Sequence, residues 1–242
     1  MSIDFANLGR LLELDGGEYL CIGGAYILSS VICSFLISLY ILKDKQIFSF
    51  VKNSLFSLQF LLTSFVGLLA FLFCIWLYGY GEYAWFMAIV LLCLYVLSYI
   101  DSALLAIPDW LNFALLFFIF IGLHYFGLLR LEHFISSFGI CGAFALLRIF
   151  GSFIFKKEIM GEADLVVLAS MGALVGLIES VYLVLVASSL ALGYIVLVGI
   201  THLKGKQITL STIKVPFVLF LSLGFVAILF YKSYPLWGEM SV

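Results

Sequence analysis

Charged side chains are scarce in this sequence. Of its 242 residues, 11% are charged, 12 Lys and Arg against 14 Asp and Glu, and 65% are hydrophobic. Soluble domains carry about 25% charged and about 45–50% apolar residues. A chain this poor in polar surface cannot coat a water-soluble globule, which excludes a cytosolic enzyme, a nucleic-acid binder and a disordered tail. The net charge of -2 gives no reason to expect a polyanionic partner, so no nucleic acid is expected. A basic segment ahead of an apolar core is also missing. The chain starts MSIDFANLGRLLELDGGE, acidic and amphipathic, and a cleavable signal peptide is not expected. The five cysteines, Cys21, Cys33, Cys74, Cys93 and Cys141, form no C-x-x-C pair and read as buried small hydrophobes. With His124, His133 and His202 they make no familiar zinc spacing, so no metal site is expected. No serine–histidine or cysteine–histidine pair suggests nucleophilic catalysis.

What is present is apolar length. Eight stretches, at about 20–42, 54–78, 84–103, 110–129, 134–155, 164–178, 180–202 and 215–233, each approach the roughly 20 residues a spanning helix needs. They are continuously apolar rather than alternating, which favours helices over barrel strands. The expectation is an all-α, polytopic membrane bundle of about eight helices, a single integral membrane domain over 1–242 with no soluble domain. No internal repeat is apparent.

Basic residues orient such a bundle, because the cytoplasmic loops hold the excess of Lys and Arg. With eight spans, Lys43, Lys45, Lys52, Arg148, Lys156, Lys157, Lys204, Lys206 and Lys214 fall on one side, and Arg10, Arg130 and Lys232 on the other. The odd loops are therefore expected in the cytoplasm. Trp76, Trp85, Trp110 and Trp237 lie near span ends, as an interfacial aromatic belt requires.

Most acidic residues fall in loops or beside lysines and read as solvated. Asp101, Asp109, Glu162 and Asp164 sit at the edges of apolar runs. A carboxylate there without a local cation is a candidate functional group. Two spans separate Asp101 from Asp164, and an even number of crossings returns the chain to the same face. Both should lie at similar depth on the cytoplasmic side. Two carboxyls sharing one proton can activate a water and protonate a leaving group, with no metal and no nucleophile. Asp109 follows Pro108 and also reads as a helix cap, and Glu162 also reads as a solvated loop residue. Gly161 is expected to free the backbone for a turn. Ala169, Gly172, Ala173 and Gly176 offer small side chains for close packing. Helix dipoles favour negative charge at the helix start, which assigns water activation to Asp164 and substrate protonation to Asp101.

These motifs resemble type IV prepilin peptidases. Asp101, six residues, then Ile107-Pro108-Asp109-x-Leu111-Asn112 is similar to their first motif. Gly161-x-Ala163-Asp164 with its small-residue tail is similar to their GxGD motif. Lys214-Val215-Pro216-Phe217, with Phe220 following, is similar to the segment opening their last span. The resemblance covers about 85–232, a catalytic core. It implies a membrane-embedded aspartic endopeptidase of the bacterial cytoplasmic (inner) membrane with its active site facing the cytoplasm. Its partners would be membrane lipid and a prepilin or type II secretion pseudopilin, cut between a basic leader and an apolar helix. By the same resemblance Asp101 and Asp164 are the catalytic pair. Asp109, Pro108, Gly161, Glu162, Lys214, Pro216 and Phe217 would support catalysis or substrate. Proteolysis requires no cofactor; S-adenosylmethionine enters only where a member also methylates the new N-terminus, and no site for it is evident here.

The sequence departs from the family pattern in three places. Ala163 replaces the second glycine, Val166 replaces a frequent lysine, and the first cytoplasmic loop has no tetracysteine insert. Two other readings make different predictions. A proton-coupled transporter using Asp101 and Asp164 as a relay would carry repeated, broken helices. A presenilin-type protease would carry Pro-Ala-Leu where this chain has Val215-Pro216-Phe217.

Overall fold

The computed structural model describes residues 16–41, 58–156, 160–202 and 215–233. Among the described residues there are eight helices: α1 (Gly16–Ile41), α2 (Leu58–Tyr78), α3 (Glu82–Leu104), α4 (Asp109–Tyr125), α5 (Leu131–Phe155), α6 (Glu162–Val175), α7 (Leu177–His202) and α8 (Phe217–Lys232). Each apolar stretch of the sequence is one helix. Five of them, α1, α2, α3, α5 and α7, are long and apolar enough to cross a membrane, whereas α4 and α8 are shorter apolar helices. The chain is a multi-pass membrane protein. The outward side chains fit a lipid surface: Phe153 is 85% exposed, and Leu146, Ile149 and Phe150 beside it on α5 are exposed too. Soluble monomers rarely show apolar patches of that extent.

The chain divides into two compact units, Met1–Ile100 and Asp101–Val242. In the first, α1 packs on α2, and the α2–α3 turn is closed by a Gly79 N–H bond to the Ile75 carbonyl (2.8 Å). Phe71 meets Trp85 edge-on across that turn, with ring centroids 5.3 Å apart.

In the second unit α6 is the hub, packed against α4, α5, α7 and α8. It is also the shortest helix, 14 residues, or about 21 Å at 1.5 Å per residue. Buried residues occupy nearly its whole circumference: Leu165, Val167, Leu168, Ala169, Met171, Ala173 and Val175. Gly172 allows the approach to α5, since a β-carbon there would sit 2.7 Å from Ile140 Cγ2 and 3.1 Å from the Ser136 carbonyl oxygen. The break between α6 and α7 falls at Gly176, whose φ of 103° is open to glycine and strained for other residues. From there α7 runs back along α6, with Ser180 near Gly172.

Candidate active site

Two charged side chains are buried among the described residues, Asp101 and Asp164. Both belong to the second unit. Asp101 lies in the last turn of α3. That helix ends when Leu105 turns left-handed (φ 52°), a conformation a bulky side chain rarely adopts, while its N–H still reaches the Asp101 carbonyl (2.8 Å). Pro108 then occupies the N-cap of α4 with φ -67°, the value its ring imposes. Asp109 is therefore the first helical residue rather than the cap. Its side chain is exposed.

The Asp101 carboxyl reaches across the unit to the start of α8. There the Val218 N–H donates to Asp101 Oδ2 (3.2 Å). Pro216 is the N-cap of α8 and has no side-chain oxygen to offer, whereas Asp101 supplies an acceptor to that helix start. Phe217 is the first residue of that helix. Lys214 lies outside the described residues.

Asp164 is the third residue of α6, and its Oδ2 accepts the Gly161 N–H (3.2 Å). This is the carboxylate half of a capping box. Gly161 is not there for a special turn: its φ is -69° and its ψ 151°, open to any residue. What its missing side chain provides is room, because a β-carbon would stand 3.3 Å from Asp164 Oδ2. Ala163 likewise needs no glycine freedom, since it already lies inside the helix, where alanine is the better residue.

Both carboxyls thus accept an N–H at a helix start, Asp101 doing so from the last turn of α3. Phe217, the neighbour of the Val218 that bonds Asp101, lines the same cavity as Asp164. The third polar residue of the neighbourhood is Asn112, 1% exposed, whose Nδ2 donates to the Ala163 carbonyl (2.7 Å). Asn112 stands in the apolar run WLNFALLFF, and a buried amide there demands a partner; that was the available signal for it.

Asp164 borders a cavity of about 570 Å³. Its walls are mostly apolar, with Phe144 and Leu147 from α5, Val184 and Ala191 from α7, and Phe217 from α8; Arg148 is its one basic residue. Arg148 Nη1 binds Glu162 Oε1 at 3.0 Å, with the Glu162 side chain 81% exposed. Glu162 is thus the first residue of α6, paired at the surface. Among the described residues no group of three His, Cys, Asp or Glu is placed to hold a metal ion.

Comparison with protein-family models matches residues 86–231 to the type IV leader peptidase family. Comparisons with curated proteins and with solved structures yield no match.

Proposed function

The chain belongs to the type IV leader peptidase family, and from that membership we propose that it is a membrane-embedded aspartic endopeptidase with Asp101 and Asp164 as its catalytic pair. One carboxylate takes a proton from water as the oxygen attacks the scissile carbonyl. The other carboxyl gives its proton to the departing amide nitrogen as the C–N bond breaks. The observation that carries this reading is the burial of two carboxyls, 63 residues apart in the chain, in one compact unit.

The substrate is a prepilin or type II secretion pseudopilin, cut between its basic leader and its apolar helix on the cytoplasmic side of a bacterial inner membrane. The excess of Lys and Arg on the odd loops supports that side. The mostly apolar cavity beside Asp164 suits an apolar segment entering from lipid. Methylation of the product is not part of this reading. The family match favours peptidase over proton relay, which no observation here supports.

Co-expression with candidate prepilins tests the proposal. A leader-sized shift is expected with the unsubstituted chain. Asp101→Asn and Asp164→Asn should each lose it while still accumulating in the membrane. Complete processing by either variant would overturn the assignment.

A further inference from the structure

Asn112 has one amide atom bonded and one stranded. Its Nδ2 donates to Ala163 O at 2.7 Å, while Oδ1 is buried with no hydrogen-bond partner. Turning the amide over would set Oδ1 against the Ala163 oxygen, two acceptors facing each other, so the observed orientation is enforced. A buried, unsatisfied acceptor is costly, and a leucine-like side chain would fill the same apolar setting without that cost. The amide is therefore poorly explained by stability alone.

Its bond falls at an informative place. The Ala163 carbonyl belongs to the peptide unit whose nitrogen is that of Asp164. Holding this carbonyl fixes the plane from which the Asp164 side chain departs. The same Asn112 sits in the first turn of α4, where its backbone N–H bonds the Pro108 carbonyl (3.2 Å). One side chain thus ties the segment following Asp101 to the peptide preceding Asp164. The Gly161 N–H bond to Asp164 Oδ2 orients the carboxyl from within its own helix; the Asn112 bond fixes that helix start from outside.

We propose that Asn112 is a positioning residue for Asp164, acting through the Ala163 peptide. The inference rests on the catalytic assignment of Asp164. Small misplacements of a reacting group cost large factors in rate, so the amide is retained for geometry at the expense of stability.

The test uses the purified full-length chain in detergent and a prepilin that it cleaves. Asn112→Leu removes the donor and the stranded acceptor together. The expected result is a kcat lower by roughly 10- to 100-fold, a KM within about twofold, and an unfolding midpoint equal to or above that of the unsubstituted chain. An unchanged kcat would overturn the proposal. So would activity that falls only in proportion to a loss of folded protein, the outcome of a purely structural role. Should Asn112→Leu not fold, Asn112→Ser provides the second measurement: a reduced kcat at unchanged KM supports the proposal, and full kcat overturns it. Asp164→Asn in the same assay separates the two claims. If that variant retains full kcat, the catalytic assignment itself fails; if it is inactive while Asn112→Leu is fully active, the positioning role alone fails.

Discussion

The two units of this chain bury polar atoms in different ways. In the first, the buried polar side chains among the described residues are hydroxyls: Ser30, Ser34, Ser38, Thr63 and Ser98. Ser98 Oγ bonds the Leu94 carbonyl one turn back in its own helix (2.7 Å). In the second, two carboxyls and an amide join the hydroxyls, and Asp101 and Asn112 reach far along the chain. Asn112 finds Ala163, 51 positions away, and Asp101 finds Val218, 117 positions away. A hydroxyl can satisfy itself locally and leave the helix self-sufficient. A buried carboxyl or amide also needs a partner, which Asp101 and Asn112 find far along the chain and Asp164 finds three positions back at Gly161. The family match, residues 86–231, covers most of this second region.

The largest effect expected from breaking this contrast is at the carboxyls. Asp101→Asn or Asp164→Asn should reduce leader cleavage by at least about 100-fold, the lower end of general acid–base contributions. Ser34→Ala and Ser38→Ala in the first unit should stay within about twofold; quantitative immunoblotting of precursor and product gives the ratio.

Packing provides the next contrast. Gly172→Ala should destabilise the chain by about 1–3 kcal/mol through overpacking, because the new carbon would press on Ile140 and the Ser136 carbonyl. Gly67→Ala meets nothing nearer than 3.5 Å and should leave the unfolding midpoint unchanged or slightly raised. Thermal unfolding in detergent compares the pair, and equal losses at both sites would remove the distinction.

The smallest effects are expected at two positions that look important in the sequence. Ala163→Gly restores the motif glycine but should cost up to about 1 kcal/mol of helix stability, with cleavage within twofold. Glu162→Gln removes an ion pair whose acidic partner is largely exposed, and should change stability by no more than about 1 kcal/mol. The same unfolding and cleavage measurements check both.

The helices were legible because uninterrupted apolar runs leave lipid-exposed backbone few alternatives. Asp101 and Asp164 were legible because an acid at the margin of such a run, without a nearby cation, is expensive. What could not be read was who holds them. No periodicity announces that Val218 bonds Asp101 or that Asn112 bonds Ala163, since those partners meet only through tertiary packing. Gly161 and Asp109 were misread for a related reason. A glycine in a string does not reveal whether its dihedral freedom or its empty space is used, and an Asp after a proline does not reveal which of the two ends up outside the helix.

The far end of α6 is held as firmly as the end bearing Asp164. There His133 Nδ1 donates to the Ala173 carbonyl at 2.7 Å, and Lys232 Nζ donates to the Val175 carbonyl at 2.6 Å while pairing with Glu179 at 3.2 Å. At about 21 Å, this helix is shorter than the roughly 30 Å hydrocarbon layer, and a loose one would be free to bob. Pinned top and bottom by side chains from three other helices, it is a strut: sliding it along its axis would break the His133, Lys232 and Asn112 bonds together. Any give needed to admit a guest must then come from the other walls of the chamber, on α5, α7 and α8.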